Sequence, residues 1–246
     1  MLRDPFRSPA PTRPVRRARG SLLYWPLAAQ FQAGLAVILV VLIVLLQVGA
    51  LTYAYRRLGL DRSAVWLILV ATFLGSAVNL PVGSMRSTRL VSQSRVVRFF
   101  GVRYLVPAVW VPQRTVVAVN VGGAIVPAAV SAYLVVHDGL GLTALLAVAA
   151  VAVVARVLAR PVAGVGVVLP GLVPALAAAG VALALGGGQA PAVAYVAGVV
   201  GTVVGADLLN LHRVGRMGAP LVSIGGAGTF DGILLCGIAA VLIASL

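Results

Sequence analysis

Two aspartates, Asp207 in VVGADLLNL and Asp231 in GGAGTFDGILL, stand within or at the edge of long apolar runs. The chain has only five acidic residues, all Asp, and the other three (Asp4, Asp61 and Asp138) fall in polar tails or loops. An ionisable group at membrane depth is costly, and where one occurs a functional site is the first expectation. Two carboxylates held close together in a low-dielectric site cannot both ionise, so the pair shares one proton. One member can then act as general base on a water while the other acts as general acid.

The elements that must position this pair follow from composition. Hydrophobic residues make up 61% of 246 and charged residues only 10%, more apolar surface than a soluble domain of this size can bury. The chain therefore reads as a multi-pass protein of the cytoplasmic membrane. Its net charge of +14 comes from 19 arginines and no lysine. They cluster at the ends of apolar segments, which points to topology and anionic lipid headgroups rather than to nucleic acid. A single cysteine, Cys236, excludes an internal disulfide, and with only His137 and His212 beside it no structural zinc site is expected. No phosphate loop, metal cluster or nucleotide motif appears, so no cofactor is implied.

About 20 apolar residues cross a bilayer as a helix. By that measure the spans are 34–55, 63–81, 115–136, 140–158, 165–185, 190–210 and 229–246, giving an all-α transmembrane bundle of about seven helices. With the N-terminus in the cytoplasm and the C-terminus outside, 16 arginines fall on inside segments and three (Arg56, Arg57, Arg62) on outside loops. Residues 1–33 read as a disordered basic cytoplasmic tail. Residues 34–246 read as one transmembrane domain with a cytoplasmic element at 82–114. Its β-branched and aromatic residues suit a β-hairpin, and its arginines equally suit a segment lying on headgroups.

In this topology Asp207 ends an out-to-in helix and Asp231 begins the following in-to-out helix, so both lie near the cytoplasmic face. Asn79 at the end of the second span, Asn120 one and a half turns into the third, and Asn210 three positions after Asp207 join them. With Ser223 and Thr229 they form a candidate polar pocket. Gly205, Gly225, Gly226, Gly228 and Gly232 would let the backbone unwind or be approached closely. Each feature also has a structural alternative. Asp231 suits a helix N-cap, Asp207 a partner for Arg213 or Arg216, and Asn79 and Asn120 interhelical hydrogen bonds. Gly198, Gly201 and Gly205 suit close helix packing.

The segments NLP (79–81), VVAVNVGGAIVP (116–127), GADLLNL (205–211) and VSIGGAGTFDGILLCG (222–237) resemble blocks of an uncharacterised prokaryotic membrane family catalogued as domain of unknown function 1614. The resemblance covers roughly residues 35–246 and implies no reaction. More distantly, the layout is similar to the intramembrane aspartyl proteases: presenilin, signal peptide peptidase and the prepilin peptidases. That likeness implies Asp207 as the first catalytic aspartate and Asp231 as the second. The chain departs from it where Phe230, not glycine, precedes Asp231, where Ala206, not tyrosine, precedes Asp207, and where Pro174-Ala175-Leu176 comes before both aspartates.

Three readings of function follow. The first is an intramembrane aspartyl peptidase acting on a transmembrane peptide. The second is a small-molecule or proton-coupled ion transporter with the same aspartates as binding sites, since helices broken by Gly and Pro beside a charge mark such sites. The third is a structural or accessory membrane protein.

Overall fold

The computed structural model describes residues 26–91, 96–99, 102–105, 109–162, 166–170, 172–214, 221–226 and 231–246. The basic tail expected at 1–33 lies outside them up to residue 25, as do Arg216, Gly228 and Thr229. The chain divides into two units, Met1–Val44 and Leu45–Leu246. In the first, the described residues belong to helix α1 (Pro26–Arg57), whose apolar side chains from Leu35 to Val44 are exposed.

In the second unit, helices dominate. After the end of α1 come α2 (Arg62–Gly75), α3 (Val126–His137), α4 (Gly141–Leu158), α5 (Leu172–Leu185), α6 (Ala190–Thr202), the short α7 (Leu211–Val214) and α8 (Gly232–Ala244). Among the described residues, Gln32–Arg57, Gly141–Leu158 and Gly187–Arg213 are long and apolar enough to cross a membrane. Four shorter apolar helices (Arg62–Gly75, Val121–His137, Leu172–Leu185 and Gly232–Ala244) complete the set. Each expected span thus contains a helix, but four are shorter than a bilayer-spanning length. Asp61 starts α2 by accepting a hydrogen bond from the Ala64 amide at 3.2 Å. The Ser63 hydroxyl also donates to the Asp61 carboxylate. That bond, first, and the Ala64 amide, second, hold the Asp61 carboxyl below its ordinary value.

Two boundaries moved because backbone switches from helix to strand. The second span stops at Gly75, and residues 79–81 open β1 (Asn79–Val91) rather than ending a helix. The third span does not begin at 115: TVVAVN closes β4 (Val109–Asn120), and a π-helical turn, Val121–Ile125, leads into α3. Alternating β-branched residues favour the pleat here, and Pro81 suits a strand at a bulge better than a helix interior. β1 and β4 pair antiparallel over their length, with a bulge between Pro81 and Gly83. β7 (Leu221–Ile224) joins the other side of β4 in parallel, giving the order β1-β4-β7. Two small hairpins, β2 (Val96–Phe99) with β3 (Val102–Leu105) and β5 (Arg160–Val162) with β6 (Gly166–Val168), complete the strands. The bundle is therefore helical with a sheet added at the region where the sequence left hairpin and surface segment open.

The core is built on α6, which is buried along nearly its whole length. A Cβ on Gly198 would come 2.9 Å from the Gly237 Cα of α8, and one on Gly201 2.7 Å from the Val151 Cβ of α4. A Cβ on Gly205 would overlap the Ala152 carbonyl oxygen and lie 2.8 Å from the Ala152 Cα. These glycines let helix backbones approach where a hydrophobic driving force between helices is weak. Alanines 144, 147, 178, 182, 194, 197 and 240 fill the same interfaces. Tyr55 and Tyr195, both fully buried, meet edge-on with ring centroids 5.9 Å apart and hydroxyls at 3.4 Å.

Two stability outcomes follow. Gly205→Ala is expected to cost roughly 1–3 kcal/mol by overpacking. Gly180→Ala, with nothing within 4 Å of the added methyl, should be neutral or stabilising by up to about 1 kcal/mol through helix propensity. Thermal unfolding in neutral detergent measures both, and equal effects would refute the packing role. The second concerns Asp61: its folded-state carboxyl titrates below its unfolded value, so its contribution is present above the unfolded pKa and is lost as pH falls through the folded one. The melting difference between wild type and Asp61→Ala should shrink on acidification; a difference that grows would contradict this assignment.

Candidate functional site

Asp207 sits where α6 breaks. The α-helix ends at Thr202, residues Val203–Asp207 form a π-helical turn, and Leu208–Asn210 a 3₁₀ turn before α7. π turns inside helices concentrate at functional sites. A helix that changes pitch twice in eight residues loses regular amide-to-carbonyl pairing, and unpaired carbonyls in an apolar body are costly. Asn210 answers this need. Fully buried, its amide Nδ2 donates to the Gly205 carbonyl at 3.1 Å and to the Ala206 carbonyl at 2.9 Å. Its Oδ1 is buried without a hydrogen-bond partner among the described residues.

Asp231 stands in extended conformation immediately before α8, and its Oδ1 accepts from the Ile233 amide at 2.9 Å. The N-cap alternative is therefore realised for Asp231. The arginine alternative for Asp207 named Arg213 and Arg216, and Arg216 lies outside the described residues. Asp207 makes no capping hydrogen bond, and no arginine among the described residues is ion-paired with it.

The helices that carry the two aspartates pack against each other. Residues Tyr195, Gly198 and Val199 of α6 face Gly237 of α8, while the Cys236 thiol lies beside the Thr202 hydroxyl, too loosely to satisfy it. From the Thr202–Cys236 contact, Asp207 lies five residues onward and Asp231 five residues back. Both aspartates thus lie the same number of residues from this contact, Asp207 in the π turn after α6 and Asp231 just before α8.

The other expected pocket residues gather elsewhere. Asn79, first residue of β1, and Asn120, last residue of β4, are cross-strand partners. Neither lies within a helix, contrary to the expectation from the apolar runs. Asn120 Nδ2 donates to Asn79 Oδ1 at 3.1 Å and to the Ser76 carbonyl at 2.9 Å, and Asn120 Oδ1 caps the π turn by accepting from the Gly123 amide at 2.8 Å. The Ser223 hydroxyl of β7 donates to Asn79 Oδ1 at 2.5 Å. Asn79, Asn120 and Ser223 therefore form one polar network; Asn210 is bonded only within its own helix break, and Thr229 lies outside the described residues. Gly225, with φ of 72°, turns the chain after β7 and presses on Gly123 and Ala124. This ties the network to the segment that leads to Asp231. Gly205 serves helix packing, Gly226 folds back on Ser223, and Gly232 has open space around its Cα. Ser76, whose carbonyl anchors Asn120, was not singled out by sequence; the turn it occupies became visible only with the end of α2.

A cavity of about 550 Å³ between α2 and α3 is lined mainly by apolar side chains, with Asp61 at its rim. Neither Asp207 nor Asp231 borders it. Among the described residues no group of three or more His, Cys, Asp or Glu could hold a metal ion.

The family described as a protein of unknown function (DUF1614) matches residues 73–243, which include both aspartates and the whole Asn79–Asn120–Ser223 network. No curated protein and no solved structure matches the chain, so the likeness to intramembrane aspartyl proteases finds no counterpart there.

Replacing Asn210 by Leu is expected to cost roughly 1–3 kcal/mol, because the Gly205 and Ala206 carbonyls lose their side-chain donor in a buried place. Thermal unfolding in detergent tests this; an unchanged midpoint would show that the break holds itself.

Proposed function

Because the chain belongs to the DUF1614 family, whose description carries no reaction, we propose a function from the site itself: an intramembrane aspartyl peptidase-like protein using Asp207 and Asp231. The observation that carries this reading is a carboxylate in the break that ends α6 and a second at the start of α8, the helix packed against it. Asp231, accepting an amide at the positive end of α8, suits the ionised base. Asp207, without such a donor, suits the acid. In this scheme the base takes a proton from water as its oxygen attacks the scissile carbonyl carbon. The acid then gives its proton to the departing nitrogen as the C–N bond breaks.

A peptide bond inside a helix is shielded by its own hydrogen bonds, so cleavage needs local unwinding. Among the described residues β7 pairs on one side only, with β4. Its other edge, seven residues before Asp231, suits the addition of a substrate strand. The chain is read as a multi-pass protein of the cytoplasmic membrane, N-terminus inside. Three helices of crossing length and 16 arginines on one side against three on the other support this. The helix break beside a buried carboxylate also favours a second reading, a proton-coupled carrier.

In proteoliposomes with a single-pass membrane substrate, Asp207→Asn and Asp231→Asn should each lower cleavage by at least about 100-fold. Asn caps helices nearly as well as Asp, so Asp231→Asn should keep the melting point, whereas Asp231→Ala should lose about 1 kcal/mol of stability. Cleavage retained by either Asn variant would rule out the dyad. Loss of proton-coupled uptake, with no cleavage by the wild type, would select the carrier.

A further inference from the structure

We propose that Arg86 and Arg114, directly opposed on β1 and β4, form an anion-binding pair that seats the strand ribbon on the phosphate groups of anionic lipids. This rests on the membrane placement above but not on the aspartate chemistry.

The two residues are Cα partners in the antiparallel ladder, and both are exposed. Side chains so paired stand on one face with Cβ atoms about 5 Å apart, and like charges placed there destabilise a ladder. Nothing within the ribbon neutralises them: residues 79–120 carry six arginines and no acidic residue, and no Asp or Glu occurs between Asp61 and Asp138. The arrangement repeats in the register of the β2–β3 hairpin, where Arg98 and Arg103 are also direct partners. Two ladders that each pair arginine with arginine in register, in a stretch without an acid, fit a polyanionic partner. Guanidinium groups bind phosphate bidentately, so two of them on one face can hold one or two phosphates.

Position selects lipid over nucleic acid. β1 begins four residues after α2, and β4 passes directly into the π turn before α3, so the ribbon is rooted in apolar helices. Its base is apolar as well: Leu80 is 45% and Val82 63% exposed, and Leu221 on β7 is 50% exposed. Such a base suits the edge of the hydrocarbon. Arg86 lies four residues beyond Val82, about 13 Å of strand, and the headgroup zone on each side is roughly 5–8 Å deep. A ribbon inclined to the membrane brings both guanidinium groups to phosphate level.

The test uses the full chain purified in a neutral detergent. Binding of phosphatidylglycerol and of phosphatidylcholine is measured by native mass spectrometry, for wild type and for the double variant Arg86→Gln/Arg114→Gln. A surface arginine contributes about fivefold to anionic-lipid binding, so the pair should give a preference of roughly thirtyfold for phosphatidylglycerol. The double variant should lose most of it. Its melting point in neutral detergent should stay or rise, because the repulsion is removed. Equal binding of the two lipids, or a preference that survives in the double variant, overturns the proposal. So does a melting point that falls, which would make the pair structural. Displacement of phosphatidylglycerol by millimolar inorganic phosphate would assign the site to free phosphate, and tighter binding of a short single-stranded oligonucleotide would assign it to nucleic acid; either overturns the lipid assignment.

Discussion

Backbone that leaves the α-helix inside an apolar body must find hydrogen-bond partners, and in this chain a few short polar side chains supply them. Asn210 covers the Gly205 and Ala206 carbonyls at the break in the α6 region. Asn120 covers the Gly123 amide where β4 becomes a π turn, and reaches the Ser76 carbonyl where α2 has ended. Asp231 covers the Ile233 amide at the start of α8. Each of these three irregularities carries its own amide or carboxylate. The polar residues of the apolar segments are therefore explained first as consequences of broken helices, and only then as candidates for chemistry.

Asp207 is the residue this account leaves over. Asp61 and Asp231 each accept an amide at a helix start, and Asp138 occupies the C-cap of α3. Among the described residues Asp207 makes no capping hydrogen bond, yet it sits inside the break that Asn210 stabilises. Its depth is set by packing rather than by hydrogen bonds. Gly198 against Gly237 brings α6 and α8 close, and the two aspartates stand five residues from Thr202 and Cys236 respectively. Shifting either helix by one turn would move one aspartate relative to the other by about 5 Å along the axis. The small residues on α6 and α8 are thus as important to the pair as the aspartates.

Much of this was legible in the sequence because membrane-like composition leaves few alternatives. Seven apolar segments, the isolation of Asp207 and Asp231, and the packing glycines at 198, 201 and 205 follow from residue type and spacing alone. The helix ends did not. Residues 115–120, TVVAVN, continue an apolar run without a break, so a hydropathy ruler extends the helix through them. Only pairing with residues 79–85 makes them a strand, and that pairing spans a gap that local pattern does not reveal. The same blindness split the expected polar pocket. Asn79, Asn120 and Ser223 converge through sheet register, whereas Asn210 turns back on its own helix.

The register that was invisible also sets which arginines are cross-strand partners. Counted along the chain, the six arginines of residues 79–120 are a topology signal and nothing more. Folded into a ladder, Arg86 faces Arg114 and Arg98 pairs with Arg103. A signal that orients a chain during insertion does not require direct opposition; scattered arginines would serve as well and cost the ladder less. The ribbon and the aspartate pair are joined through β7, which pairs with β4 and leads through Gly225 toward Asp231. An anionic surface that fixes the ribbon therefore also fixes the sheet from which the second aspartate is hung.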